Sequence, residues 1–252
     1  MSLHFHRSGS GEPLLMLHGL FGSWENLGGP IKALQQQFDV IAPDMLNHGR
    51  SPQIDQFNYS TFADSVLTLA DELGLEQFNL LGHSMGGKIA MELALNHPER
   101  VSRLIVVDIA PVQYPHHHTE VFKGLKQVPL NEIKSRTEAD RHLSQHIESA
   151  SIRAFLLKNL YRTESGFNWR MNLDALEREY DKIASPMSDA EYLGPTLFIK
   201  GSESDYIKPE YQNEVVKRFP KVQLRIIEET GHWPHAEKPA LFTKIVERFL
   251  QS

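Results

Sequence analysis

Six short apolar runs punctuate the chain: Pro13–Gly19, Phe38–Asp44, Phe78–Gly82, Arg103–Asp108, Thr196–Gly201 and Val222–Ile227. Most are continuous rather than alternating, the pattern of strands buried on both faces of a parallel sheet. Leu3–Arg7, followed by "SGSGE", predicts one more strand, added as a hairpin. Helical periodicity fills the intervals. Phe62, Val66, Leu69 and Leu73 form one apolar stripe along Thr61–Leu73, with Ser60 as the predicted N-cap and Gly74 as the stop. A last helix begins at Pro239 and brings Phe242, Ile245, Val246, Phe249 and Leu250 to one face. Alternation of this kind predicts an α/β fold, a mostly parallel doubly wound sheet with helices on both faces.

The rhythm breaks once. Between Asp108 and Thr196 no strand is predicted, only polar helical patterns such as Thr137–Ser149 and Ser151–Leu160. Residues 115–191 therefore read as a helical cap inserted over the carboxyl ends of the strands. The core is then made of residues 1–114 and 192–252.

Composition narrows the partners. The 252 residues are 40% hydrophobic, enough for a sizeable core, and carry a formal net charge of −6 without a basic stripe, which argues against nucleic-acid binding. Cysteine is absent, so neither disulfides nor a thiol nucleophile is available. The start, "MSLHFHRSGSGEP", lacks the apolar core of a secretory signal, and no run approaches the roughly 18 residues of a membrane span. A cytoplasmic protein is expected, monomeric or homodimeric.

The candidate chemistry centres on "FNLLGHSMGGKIAMELA", where Ser84 stands between Gly82 and Gly86, after a strand and before a helix. Gly-x-Ser-x-Gly is a modest signal alone, but the strand–turn–helix setting is what a nucleophile elbow requires. A helix N-terminus also offers free N–H groups to a developing negative charge. A serine needs a base to become a nucleophile. Of thirteen histidines, His232 in "GHWPHAEKP" is best placed, on a loop between the last strand and the last helix. His83 is expected to point away from the serine. His116–His118 lack a carboxylate at ligand spacing, and His142 and His146 lack the glutamate of a zinc-hydrolase motif, so both groups are read as surface and no metal is expected. For an oxyanion, the Met85 N–H follows the nucleophile, and "HGLFG" after the first long strand presents the Leu20 N–H. Phe21, Trp24 and Trp233 either line an acyl pocket or pack these loops.

Taken in order, "LHGLFGSWENL", "APDMLNHGRSP", "LLGHSMGGKIAMELAL", "VVDIAP" and "GHWPHAEKP" resemble the α/β-hydrolase superfamily, and most of all the YbfF-type bacterial esterases. The likeness runs from about Leu14 to Phe249 and is weak across the cap. It implies a Ser-His-acid triad, no cofactor, and small-molecule ester substrates, with acyl-CoA thioesters among the possibilities. In most of the superfamily the acid follows the penultimate strand, which points to Asp205. In the YbfF-type group it ends the strand before the cap, which points to Asp108, with Ser204 matching a serine that supports the histidine. Asp108 is the favoured acid and Asp205 the alternative. Asp44 is read as an organiser of the Asn47–Ser51 turn. A C–C bond hydrolase using cap arginines (Arg136, Arg141, Arg153, Arg162 or Arg170) or a cofactor-free perhydrolase would share the triad. A ligand-binding receptor would instead need an apolar cap surface, and the cap sequence is polar.

Overall fold

A computed structural model describes residues 2–252. Seven strands build the main sheet: β1 (Phe5–Ser8), β2 (Glu12–Leu17), β3 (Phe38–Pro43), β4 (Phe78–His83), β5 (Val101–Val107), β8 (Thr196–Gly201) and β9 (Val222–Ile227). Two more strands, β6 (Leu160–Thr163) and β7 (Gly166–Trp169), pair only with each other. The main sheet runs in the order β1-β3-β2-β4-β5-β8-β9. Every neighbouring pair is parallel except β1 with β3.

Side-chain alternation explains why the runs are continuous. Leu14 and Met16 of β2 enter one apolar layer with Leu27, Ile31, Phe242, Val246 and Phe249. Leu15 and Leu17 point the other way, into the larger layer with Phe62, Val66, Ile89 and Leu93. A strand covered on both faces needs apolar residues at both parities. β9 departs from this rule. As the sheet edge it exposes Gln223–Ile226, so an apolar sequence there does not mean two buried faces.

Three local expectations are corrected. β1 does not form a hairpin with β2, because β3 lies between them and takes the antiparallel pairing with β1. The helix after the β3 loops is Tyr59–Glu72, and its cap is Asn58, whose side chain accepts the Thr61 N–H at 2.9 Å. Ser60 is already helical. The stretch between Asp108 and Thr196 does contain strands, β6 and β7, joined across a turn with Gly166 at φ +140°. Their two short four-residue runs carry too little apolar periodicity to stand out from helix in the sequence. Around them lie helices Thr119–Gln127, Arg136–Leu143, Ala150–Leu157, Leu173–Arg178 and Tyr180–Ala184.

One buried lysine ties this insertion to the sheet. Lys88 sits on the helix Met85–Asn96 at 1% exposure. Its Nζ donates to the carbonyls of Val112 (2.9 Å), Ala184 (3.3 Å) and Ser185 (2.5 Å), with the Tyr114 ring 4.9 Å away. Both ends of the insertion are thus fastened to one ammonium. Burial lowers its pKa to about 7. Lys88→Met leaves three carbonyls without their donor, and the expected cost at pH 7 is about 2 kcal/mol, read from urea midpoints. The unfolded lysine keeps its proton to about pH 10.4. Between pH 7 and that value the unfolded chain therefore binds more protons than the folded one. Wild-type stability relative to Lys88→Met should rise with pH across this window.

Candidate active site

The ends of β2, β4, β5, β8 and β9 carry the polar groups that converge at one edge of the sheet. Ser84 follows β4 directly, at φ +54° and ψ −119°, a conformation rarely tolerated by a residue with a side chain. The bend closes because its neighbours are glycines. A Cβ on Gly82 would overlap the Gly86 carbonyl, and one on Gly86 would overlap the carbonyls of Leu17 and His18. The backbone hydrogen bonds Ser84 N–H to Val107 O (3.0 Å) and Lys88 N–H to Ser84 O (3.1 Å) hold the turn between β5 and the new helix.

His232 reaches this serine from the loop after β9. Its Nε2 lies 3.0 Å from Ser84 Oγ, and its Nδ1 lies 2.7 Å from Asp108 Oδ2. Asp108 is fully buried, immediately after β5, and also at positive φ (+53°). Two further donors hold its carboxylate: the Gly201 N–H to Oδ1 at 3.1 Å, and the Ser204 hydroxyl to Oδ2. Asp205, one residue on, is exposed and does not meet the histidine. Ser204 therefore touches the acid rather than the imidazole.

The loop bearing His232 is pinned from several sides. His83 donates its Nε2–H to the His232 carbonyl at 2.7 Å, and burial pushes the His83 pKa well below its usual value, so it stays neutral. Glu237 accepts the N–H groups on either side of the histidine, Gly231 at 2.9 Å and Trp233 at 3.2 Å. The Tyr206 ring stacks on the imidazole, with centroids 4.0 Å apart and planes at 23°. The sequence reading missed the roles of Tyr206 and Glu237. For Glu237, its spacing after "GHWPH" was the available signal, since a helix starting at Pro234 turns it back onto the loop.

Two buried imidazoles shape the loop after β2. His18 accepts the Met45 N–H at Nε2 (2.9 Å) and His48 accepts the Phe21 N–H at Nε2 (3.2 Å). Burial lowers the His48 pKa to about 3 and the His18 pKa likewise falls, so both remain neutral acceptors. The Leu20 N–H has no hydrogen-bond partner among the described residues, and Leu20 lines the same cavity as Ser84. The Met85 N–H, at the start of its helix, is free as well. Asp44 accepts the N–H groups of Trp24 and Arg50, each at 3.0 Å, and so ties the two loops together.

A cavity of about 710 Å³ opens over Ser84 and His232. Its insertion side combines Val121, Ile152, Phe155 and Leu156 with the polar Ser151 and Lys158, and Phe21 and Trp233 join them from the core. Trp24 does not line it, and stacks on His6 instead at 4.3 Å. The surface reading of the histidines is corrected for His118. Its ring lines the cavity against Phe21, its Nδ1 lies 2.5 Å from the Tyr180 hydroxyl, and burial lowers its pKa to about 4. Among the described residues no cluster of three or more metal-ligating side chains occurs. None of the arginines named above lines the cavity: Arg136 donates to the Leu160 carbonyl, Arg153 pairs with Asp140, and Arg162 and Arg170 lie over Phe167 and Tyr161.

A serine at a strand–helix corner, an imidazole against it and a buried carboxylate behind form the arrangement that serine hydrolases use. Residues 12–160 match the family described as alpha/beta hydrolase fold, and the chain belongs to that family. It is 41% identical to the sn-1-specific diacylglycerol lipase ABHD11 of Mus musculus, over 94% of this chain and 80% of that protein. It is 33% identical to Esterase YbfF of Escherichia coli (strain K12), over 95% of this chain and 93% of that one. Among solved structures it superposes on a marine microorganism esterase with a TM-score of 0.96 at 37% identity, covering 98% and 99% of the two chains. All three of these relatives are named as an esterase or a lipase. No helix among the described residues is long and apolar enough to cross a membrane.

Proposed function

We propose that this chain is a serine esterase acting on carboxylic esters through an acyl-enzyme, with Ser84 as nucleophile, His232 as general base and acid, and Asp108 as the triad acid. The observation that carries the reading is the unbroken hydrogen-bonded line Ser84–His232–Asp108 at the floor of an apolar cavity. His232 Nε2 takes the serine proton as Oγ attacks the ester carbonyl. Asp108 fixes the tautomer by accepting the Nδ1–H and stabilises the imidazolium. The Leu20 and Met85 N–H groups hold the oxyanion, each contributing about 2.7–4 kcal/mol in the transition state. The imidazolium then protonates the departing alcohol, and water releases the acid.

Residues 115–191 serve as the cap in this reading, because the cavity wall opposite Ser84 comes from helices Thr119–Gln127 and Ala150–Leu157. Its apolar lining suits an acyl chain. Lys158 is the single lysine or arginine in that lining, which favours uncharged esters over acyl-CoA thioesters, whose phosphates call for cations. With no arginine in the lining, Lys158 is the one lysine or arginine there that could anchor the second carboxylate a C–C hydrolase needs.

A panel of p-nitrophenyl and glyceryl esters, beside acyl-CoAs of matched chain length, tests the proposal. The expected result is turnover of the neutral esters at a kcat/KM at least ten times that of the thioesters. Rapid-mixing experiments should show a p-nitrophenol burst equal to the enzyme concentration wherever deacylation limits turnover. No turnover across the panel would overturn the reading.

A further inference from the structure

The free edge of the main sheet is a surface that ester chemistry leaves unused. β9 ends the strand order, with β8 on one side and no strand on the other. Sheet edges are commonly blunted by proline, bulges or extreme shortness. β9 has six residues, contains neither proline nor glycine, and stays in register with β8 over six successive pairs. It also carries two large apolar side chains in solvent, Leu224 (46% exposed) and Ile226 (50%).

Strand parity fixes where these groups point. Phe198 of β8 is buried in the larger apolar layer and lies opposite Leu224. Leu224, with Val222 and Ile226 two residues to either side, therefore belongs to that face. The same three residues turn their backbone groups outward. The Ser202 N–H donates to the Ile227 carbonyl at 3.0 Å, so Ile227, Arg225 and Gln223 bond towards β8 and the residues between them address the free edge. Of those outward groups, the Val222 N–H donates to the Phe219 carbonyl at 3.0 Å, and the Leu224 carbonyl accepts only from the neighbouring, exposed Arg225 guanidinium, also at 3.0 Å.

The strand is self-complementary about Leu224. Antiparallel pairing with a second copy around a two-fold axis there sets Leu224 against itself, Val222 against Ile226 and Gln223 against Arg225. Apolar side chains meet apolar ones, and the guanidinium meets an amide. Moving the axis to Arg225 would instead set two guanidinium groups face to face. Antiparallel pairing also brings the start of each strand to the end of the other. Lys221 at the start and Glu228 at the end are both exposed, and neither forms a salt bridge among the described residues. The charges at the two ends thus complement each other across the axis.

We infer that β9 is a homodimer interface, at which two copies of this chain join edge to edge, antiparallel about Leu224, into one continuous sheet. The two Leu224 residues exchange a pair of backbone hydrogen bonds, and the Ile226 N–H of each copy donates to the Val222 carbonyl of the other. The Arg225 guanidinium yields the Leu224 carbonyl to the N–H of the second copy. Lys221 and Glu228 close an ion pair at each end of the joint. A second copy is the occupant because this one sequence supplies both sides of every pair. The inference stands apart from the ester chemistry.

Sedimentation velocity of the full chain over a wide range of concentration tests it. The expected result is the mass of two chains, falling towards one on dilution. Leu224→Lys sets two ammonium groups face to face and should give a single-chain mass with an unchanged far-UV circular dichroism spectrum. Ile226→Lys should do the same, and keeps the test decisive where the first variant does not fold. Lys221→Glu should weaken the dimer at least five-fold in Kd, and adding Glu228→Lys to it should restore the wild-type value. Wild type at a single-chain mass throughout would overturn the inference and leave this edge to an extended segment of some other protein. A two-chain mass that survives both lysine substitutions would overturn it as well, by moving the interface elsewhere. Failure of the exchanged charges to restore the dimer would overturn the antiparallel register.

Discussion

Replacing Ser84 with alanine is expected to lower kcat for ester hydrolysis by about six orders of magnitude, the scale seen when a triad nucleophile is removed. The variant keeps His232, Asp108 and the two backbone donors near Leu20 and Met85. It should therefore retain a residual acceleration of about 10³–10⁴ over water from oxyanion binding and substrate positioning. The size of the loss follows from what the oxygen does. It is the atom that forms the covalent intermediate, and it is the side-chain oxygen hydrogen-bonded to His232 Nε2. Folding should be preserved, because the elbow is fixed by Gly82, Gly86 and the backbone bonds of residue 84 rather than by the hydroxyl. Alanine meets the same φ of +54° with no bulkier a side chain. The measurement is twofold: steady-state hydrolysis, and intact mass after mixing with a p-nitrophenyl ester. Wild type should gain the acyl mass and the variant should not. Activity within a hundred-fold of wild type, with a normal thermal midpoint, would remove Ser84 from the mechanism.

Much of this geometry was legible in the sequence because it depends on short-range backbone demands. A corner so tight that a Cβ two residues away would overlap backbone atoms writes itself as glycine, which is why "GHSMGG" marks Ser84. Strands buried on both faces write themselves as continuous apolar runs, so the parallel core was readable, and the edge strand β9 was over-read for the same reason. What could not be read depends on distant partners. The choice between Asp108 and Asp205 turns on which of two strand-end loops faces His232; both satisfy the same local pattern, and it was the family resemblance that favoured Asp108. The burial of His118 depends on Phe21 and Tyr180, which lie 97 positions before and 62 after it. Lys88 reads as an ordinary helix-surface lysine until the carbonyls of Val112, Ala184 and Ser185 are brought over it.

The two aspartates separate cleanly by experiment. Asp108→Asn is expected to lower kcat by about four orders of magnitude, whereas Asp205→Asn should leave it within two-fold. Asparagine at 108 conserves shape, and it accepts the positive φ of +53° more readily than most residues, so the loss should be chemical rather than structural. What changes is the partner of His232 Nδ1. A carboxylate can only accept, which forces the proton onto Nδ1 and leaves Nε2 free to take the serine proton. An amide can present its NH₂ instead, which favours the opposite tautomer and leaves no negative charge to stabilise the imidazolium. The Ser204 hydroxyl and the Gly201 N–H, both donors to this carboxylate, reinforce the effect, since they orient the carboxyl group for an acceptor role. Asp205 has no such company. It stands in solvent beside the buried Ser204, and its charge there is screened. Equal and large losses in both variants would mean that the loop after β8 reorganises in the working enzyme. A loss confined to Asp205→Asn would transfer the acid's role to it.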